Sequence, residues 1–251
     1  MLDQNLLLRD LPPLVLERLK PRLRAQNFAP GQVLFSADDK TSSIYFPRSG
    51  AVSLVCELAD GRMIETAMVG CNSVVGGGAA LGDGPAIYKA IVQIGGSGFV
   101  LDVGMARHIA GESVDFRKAI LRHEQLIAAQ VQQSAACNAT HSLSQRLARW
   151  FLHTRDVLGS DSFSLTQEYV AEMLGVRRTS VSILAHSLQQ AGLISYRRGH
   201  IKVNQPEALQ RTACECYCTT RTLYGTLAKP SPLVPPAEVF DMRPRHVSPD
   251  D

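Results

Sequence analysis

A short run of arginines and hydroxyl side chains contains the groups best suited to bind a polyanion. The run comprises Arg177, Arg178, Thr179, Ser180 and Ser182. An arginine guanidinium can donate two parallel hydrogen bonds to guanine O6 and N7, and hydroxyl groups can donate to phosphate oxygens. These residues open a predicted helix, and the second helix of a helix–turn–helix presents its N-terminal end to the major groove. The run therefore predicts contacts to DNA bases or phosphates, with Arg178 as the main base reader.

Residues 161–203 have the pattern of a helix–turn–helix that would position this run. Thr166 is a suitable N-cap for a first helix, although its N3 residue leaves the capping box incomplete, and Gly175 suits the left-handed position that ends a helix. A second helix extends to Gly192, and the segment LISYRRGHIKV predicts a two-stranded ribbon that turns at Gly199. Candidates for contacts to the DNA backbone are Thr166, Gln167, Arg197, Arg198 and His200. A solvated helical hairpin is the alternative.

The charges of the 251-residue chain are unevenly distributed along it. The formal net charge is only +3, from 26 basic and 23 acidic residues. Residues 1–140 hold 13 of each sign, residues 141–229 hold 11 basic and 6 acidic residues, and residues 230–251 hold 2 and 4. The basic excess thus coincides with the predicted helix–turn–helix, as is typical of a polyanion-binding module, although many solvated surfaces carry as much charge.

The composition favours a cytoplasmic protein of one or two domains. Hydrophobic residues make up 45% of the chain, which is enough for a substantial core. The sequence contains no apolar run near the roughly 20 residues that span a bilayer, and its N-terminus is a poor export signal, so we expect no membrane association. Motifs of a nucleophile elbow, a phosphate-binding loop or a zinc protease are absent from the sequence, and we predict no catalytic residues.

Short strand-like segments fill the region from Gln32 to about Asp102. They are QVLF, SSIYFP, AVSLVCEL, RMIETAMV, NSVV, YKAIVQI and GFVLDV. The Asp60-Gly61 pair between the third and fourth segments predicts a hairpin, since both positions tolerate positive φ. Short strands without a helix-length crossover favour an antiparallel roll or barrel. Together with a short helix in LPPLVLERLKPRL and long helices after Gly111, they predict an α+β fold with a jelly-roll-like N-terminal β-roll.

A long helical segment after Gly111 has a seven-residue periodicity. Ile120, Ile127 and Ser134 are seven residues apart, and Val131 and Asn138 form a second such step. This spacing predicts a seam of about three heptads for a helix pair between two chains. A helix packed on its own domain is equally compatible with the periodicity.

The segment LTQEYVAEMLGVRRTSVSILAHSLQQAGLI resembles the winged helix–turn–helix of the Crp–Fnr transcription regulators. The order of roll, long helix and helix–turn–helix is also that family's layout, so the resemblance extends over about residues 10–225. It implies a β-roll sensor domain with a short N-terminal helix, a dimerisation helix and a winged helix–turn–helix DNA-binding domain, followed by a tail that we expect to be disordered. These parts are residues 1–112, 113–140, 141–225 and 226–251.

The resemblance implies a homodimer that binds a palindromic promoter site and works with RNA polymerase. Arg178 matches the family's guanine-reading arginine. Where some members carry a glutamate and a further arginine one turn on, this chain has Thr179 and Ile183, so their target sites cannot be transferred. Two other functions stay open: a receptor gated by a cyclic nucleotide or another small molecule, and a scaffold whose helix–turn–helix does not read DNA.

The resemblance also implies where a cyclic nucleotide would bind. Family members that bind one use a glutamate for the ribose and an arginine for the phosphate, and here Gly78 and Tyr88 stand at those positions. Lys89 could supply a positive charge, and the Gly76-Gly77-Gly78 turn could offer backbone N–H groups. A tight turn of the roll explains the three glycines equally well. We expect no conventional cyclic-AMP control and leave an unknown small effector open.

The cysteines give weak signals for a cofactor. The chain has no cysteine before Cys56, so the N-terminal iron–sulfur cluster of some family members is not supported. Cys214 and Cys218 would share one face of a helix, but metal motifs usually add a second pair at wider spacing. The seven histidines include no i, i+4 pair. We therefore expect the packing of small thiols, with no metal and no cofactor, and leave a redox role open.

Overall fold

A computed structural model describes residues 4–227 of the chain, except for the side chains of 225–227. The helices are α1 (Leu6–Arg9), α2 (Pro13–Leu19), α3 (Val103–Glu112), α4 (Val114–Thr140), α5 (Leu143–Leu158), α6 (Gln167–Leu174), α7 (Arg178–Gln190), α8 (Pro206–Thr212) and α9 (Cys216–Leu227). The strands are β1 (Arg24–Phe28), β2 (Val33–Phe35), β3 (Ser43–Pro47), β4 (Ala51–Glu57), β5 (Met63–Val69), β6 (Lys89–Ile94), β7 (Gly96–Asp102), β8 (Ser162–Ser164), β9 (Ile194–Arg197) and β10 (His200–Val203). The predicted α+β fold is confirmed. The tail predicted from residue 226 lies outside the described residues, except for the last turn of α9.

The N-terminal roll consists of two antiparallel sheets, ordered β1-β7-β3 and β2-β6-β4-β5. The inward side chains of both sheets, such as Val52, Leu54 and Val100, form a common buried core. The predicted hairpin at Asp60-Gly61 joins β4 to β5, and Gly61 has a φ of +83°. Positive φ at this position requires the residue type that lacks a Cβ.

Two details of the roll differ from the strand prediction. Strand β1 was not predicted, because the segment RAQNF is polar and mostly exposed and so has no apolar alternation. The segment NSVV forms only an isolated bridge between Tyr45 and Val75, because it turns into a short 3₁₀ helix over Gly77–Ala80.

Helix α4 corrects part of the predicted dimer seam, at three of its five residues. Ile120 and Ile127 are buried in the core clusters of the roll, and Ser134 is buried within the chain as well. Val131 and Asn138 are exposed. The exposed heptad positions therefore lie one residue further along the chain, at Leu121, Ala128 and Ala135.

The C-terminal part is built on α5, which packs its apolar face against the helix–turn–helix. Trp150, Phe151 and Leu152 lie in one buried cluster with the inner residues of α6 and α7. Strand β5 of the roll contacts α6, so the two parts of the chain share this core. Among the described residues, no helix combines the length and the apolar character needed to cross a membrane.

Candidate nucleic-acid interface

The helix–turn–helix forms as its caps predict. Thr166 Oγ1 accepts a hydrogen bond from the Tyr169 N–H at 3.2 Å, which satisfies one amide at the start of α6. Gly175 ends α6 in the left-handed conformation, with a φ of +68°. Helix α7 begins at Arg178, and Arg177 is its N-cap residue. The basic run therefore lies at the N-terminal end of the second helix.

The wing is a tight hairpin held against the start of α6. Strands β9 and β10 pair in antiparallel register, and Arg198 and Gly199 both have positive φ, at 50° and 79°. A two-residue turn of this kind matches the twist of the two strands. The Leu165 N–H donates to the Gly199 carbonyl at 2.7 Å, and the Tyr196 hydroxyl donates to the Leu165 carbonyl at 2.8 Å. These bonds fix the position of the wing tip.

A cleft of about 520 Å³ lies between α6, α7 and the wing tip. It is lined by Thr166, Gln167, Glu168, Arg178, Tyr196, Arg198 and Gly199. The structure thus brings together four residues that were singled out for DNA contacts, namely Thr166, Gln167, Arg178 and Arg198. The other predicted residues are not among those that line the cleft: Arg177, Thr179, Ser180, Ser182, Arg197 and His200.

Glu168 lines the cleft as well, although it was not among the residues predicted to contact DNA. Its Oε2 lies 3.7 Å from Arg178 Nε, and both side chains are largely exposed. An exposed pair of this kind adds little stability. The pair nevertheless places a negative charge in the cleft, beside the guanidinium of Arg178.

The hydroxyl groups of the basic run have different environments. The Ser182 hydroxyl donates to Gln167 Oε1, so it ties α7 to α6 inside the motif rather than facing a base. Thr179 is exposed, and Ile183, one turn later, is 70% exposed. An exposed apolar side chain on this face suits a thymine methyl group, which is the apolar feature of the major groove. Ile183 thereby joins Thr179 as a candidate for base contact.

The triple-glycine turn of the roll packs against Glu124 of α4. A Cβ at Gly77 would lie 2.8 Å from Glu124 Oε1, and one at Gly78 would lie 3.4 Å from Oε2. Burial raises the pKa of Glu124, and a backbone hydrogen bond from Gly78 partly opposes this. Among the described residues, Oε1 is buried without a hydrogen-bond partner. Glu124 could have been identified from the sequence, because it follows the apolar Ile120 by four residues and so lies on the same face of the helix.

The other two residues predicted to bind a ligand, Tyr88 and Lys89, have different surroundings. Tyr88 is close to Gly76 and Glu124, and burial followed by the Glu124 charge raises the pKa of its hydroxyl. Lys89 Nζ forms an ion pair with Glu57 Oε2 at 2.7 Å. Gly77, Gly78 and Tyr88 therefore lie close to the Glu124 carboxyl group, Gly76 packs against Phe35, and Lys89 pairs with a different carboxylate.

The cysteine-rich segment differs from its prediction. Cys214 precedes α9, which begins at Cys216, so Cys214 and Cys218 do not share a helical face. Cys214 instead lies 3.5 Å from Cys137, in a cluster with Cys216 and His141. Four potential metal ligands thus meet at a place where no metal was expected.

Comparisons with known proteins agree with this architecture. A model of the cyclic nucleotide-binding domain matches residues 25–102, and a model of the Crp-like helix-turn-helix domain matches residues 145–212. Curated protein sequences give no significant match. The structure is similar to FixK2 from Bradyrhizobium japonicum, with 17% identity, a TM-score of 0.67, and coverage of 76% of this chain and 98% of that one.

Two further solved structures share the fold. The c-di-GMP responsive global regulator CLP of Xanthomonas campestris has 15% identity and a TM-score of 0.62, with 76% and 99% of the two chains covered. TTHB099, a transcriptional regulator of the CRP family from Thermus thermophilus, has 22% identity and a TM-score of 0.58, with 75% and 96% covered.

Proposed function

Since the chain belongs to the Crp–Fnr family of transcription regulators, we propose that it binds a palindromic promoter site as a homodimer and reads each half-site through α7. The observation that carries this proposal is the cleft between α6, α7 and the wing, where Arg178 and Arg198 face the same space. Arg178 reads a base, and Thr166, Gln167 and Arg198 hold the backbone on both sides of it. Thr179 and Ile183 complete the base-reading face.

The test is a gel-shift series over a range of salt concentrations, on a selected site and on random DNA. Arg178→Ala should relax specificity by about 1–3 kcal/mol at one base position, whereas the wing variant Arg198→Gln should weaken binding to all sequences equally. Arg211→Ala, an exposed arginine on α8, is the matched control for loss of charge. Equal losses on specific and random DNA for Arg178→Ala would contradict base reading and favour a scaffold that does not read DNA.

We infer that the dimer forms through the exposed face of α4. Leu121, Ala128 and Ala135 are seven residues apart and exposed, and the positions between them are Gln125 and Gln132. Small side chains allow two helices to approach closely, and the glutamines can hydrogen-bond across the seam. Two recognition helices would then meet half-sites about 34–36 Å apart.

Sedimentation velocity tests this surface. Leu121→Glu places charge in the seam and should shift the chain toward monomers, whereas Leu14→Glu, at an exposed leucine of α2, should leave the dimer intact. A dimer that tolerates Leu121→Glu as well as it tolerates Leu14→Glu would refute the seam.

We further propose that the regulator acts in the cytoplasm with RNA polymerase and without conventional cyclic-AMP control. The Glu124 carboxylate faces the triple-glycine turn, close to where the family resemblance would place the phosphate, and a second anion there is unfavourable. Calorimetry with cyclic AMP and cyclic GMP tests this. Micromolar binding that Glu124→Gln strengthens would support a nucleotide-gated receptor instead, which the match to the cyclic nucleotide-binding domain keeps as the second candidate.

A further inference from the structure

Four metal-ligating side chains meet where the end of α4 packs against the start of α9. They are Cys137 and His141 at the end of α4, and Cys214 and Cys216 at the start of α9. Their ligand atoms all lie within 4.8 Å of one another. We propose that these three cysteines and one histidine bind a Zn²⁺ ion.

The spacing of the ligand atoms suits a tetrahedral zinc site. Zn–S bonds of about 2.3 Å and a Zn–N bond of about 2.05 Å at tetrahedral angles separate two sulfurs by about 3.8 Å and a sulfur from a nitrogen by about 3.6 Å. Cys137 Sγ and Cys214 Sγ are 3.5 Å apart, and Cys216 Sγ and His141 Nδ1 are 3.5 Å apart. These two separations are within a few tenths of an ångström of the tetrahedral values, and the others, which are at most 4.8 Å, close by about 1 Å or less when the ion binds.

The groups around the cluster orient the ligands. His141 Nε2 lies 3.0 Å from Glu215 Oε1, so the nitrogen that faces Cys216 is Nδ1, with its lone pair directed at the cluster. A carboxylate on the outer nitrogen is the usual partner of a zinc-bound histidine. Gln133 Nε2 donates to Cys216 Sγ at 3.0 Å, a contact that suits a thiolate.

Burial and charge also fit a closed structural site. Cys137, Cys214 and Cys216 are at most 3% exposed. Three thiolates and Zn²⁺ leave a net charge of −1, which needs positive charge nearby, and Arg149 interacts electrostatically with Cys137. Simple packing of thiols would require neither a histidine lone pair nor an amide donor aimed at sulfur. Since all four positions are filled by protein atoms, the site is structural rather than catalytic.

The position of the site gives it a role in the architecture. Two ligands come from the helix that carries the proposed dimer surface, and two come from the segment that follows the winged helix–turn–helix. One ion would therefore join the proposed dimerisation helix directly to the DNA-binding part. Cys218, two residues beyond Cys216, lies outside the cluster and accepts a hydrogen bond from Gln210 Nε2 at 3.3 Å.

The experiment measures metal in the full chain, purified under reducing conditions without chelator. Elemental analysis should give one zinc per chain in the wild type and in Cys218→Ser, the matched control. Cys137→Ser, Cys214→Ser and His141→Asn should lose it, and His141→Cys should retain it by supplying a fourth thiolate. Co²⁺ in place of zinc should give thiolate-to-cobalt charge-transfer bands and the strong visible bands of a tetrahedral ion.

Circular dichroism and retention of metal by His141→Cys separate loss of the site from failure to fold. A zinc-free wild-type chain that does not bind added Zn²⁺ would overturn the proposal. So would weak, octahedral Co²⁺ spectra, or equal metal loss in Cys214→Ser and Cys218→Ser.

Discussion

Replacing Glu65 by glutamine should stabilise the folded chain above neutral pH and leave it nearly unchanged in mild acid. Glu65 lies on β5 where the roll meets α5 and α6, and its carboxylate accepts hydrogen bonds from Trp150 Nε1 at 2.9 Å and from Ser53 Oγ at 2.5 Å. Burial raises its pKa from the ordinary 4.5 to about 7, and the two hydrogen bonds and the Arg149 charge only partly oppose this. Below about pH 7 the neutral acid is therefore the favoured form in the folded state.

The size and sign of the effect follow from linkage. Below about pH 4.5 the carboxyl group is protonated in both folded and unfolded chains, and its contribution to stability is at its maximum. As pH rises toward 7, the unfolded chain ionises while the folded chain stays protonated, so stability is lost until both are ionised. A shift from 4.5 to about 7 corresponds to about 3 kcal/mol at 1.36 kcal/mol per pH unit. Partial solvent access reduces this to between about 1 and 3 kcal/mol.

Urea unfolding at fixed protein concentration, at about pH 5 and about pH 8, measures the difference. Glu65→Gln should gain on the wild type as pH rises, because the amide cannot ionise and so avoids the cost of burying a charge. Its oxygen can still accept from Trp150 Nε1, and its NH₂ group can donate to Ser53 Oγ, which then donates to Gln93 Oε1. Glu207→Gln, at an exposed acid on α8, is the matched control and should show no pH-dependent gain. An advantage of Glu65→Gln that is the same at both pH values would show that burial does not raise the pKa of Glu65.

Three further predictions concern the DNA-binding part and the metal. Thr166→Ala removes the acceptor for the Tyr169 N–H and should lower the free energy of unfolding by about 1 kcal/mol, with most of it restored by Thr166→Ser; no loss on urea unfolding would mean that the cap is not used. Glu168→Gln should strengthen DNA binding in low-salt gel shifts, by an amount that shrinks as salt is added, because Arg178 loses its competing carboxylate; weaker binding would contradict this. Removal of the metal by a chelator should lower the melting temperature. Free Zn²⁺ added back at 1,000 times its Kd should raise the free energy of unfolding by about 4 kcal/mol. A melting temperature that the chelator does not change would count against a structural ion.

Local features of the helix–turn–helix could be predicted because they depend on neighbouring residues. The Thr166 cap, the left-handed Gly175 and the turn at Gly199 are confirmed, since each is set by a few consecutive side chains. The strand β1 lacked any such signal, because its side chains are polar and mostly exposed. The sequence therefore predicts those features whose conformation is determined by neighbouring residues.

Features that depend on tertiary contacts were missed. The heptad period fits Ile120 and Leu121 equally well, and only the position of the roll decides which of them is buried. Cys137 and Cys214 meet through packing of α4 on the C-terminal segment, across 77 residues of chain. The four-residue spacing of Cys137 and His141 was a usable signal, but only a comparison of cysteine with histidine positions would have found it.

The contact between Trp150 and Glu65 also provides a built-in optical probe. Trp150 is the chain's single tryptophan, and its indole is buried where the roll meets the DNA-binding part. Its emission therefore reports this junction alone, without background from other indoles. Movement of the two parts relative to each other would change the polarity around the indole and shift its emission maximum, so any change at this junction can be followed in unlabelled protein.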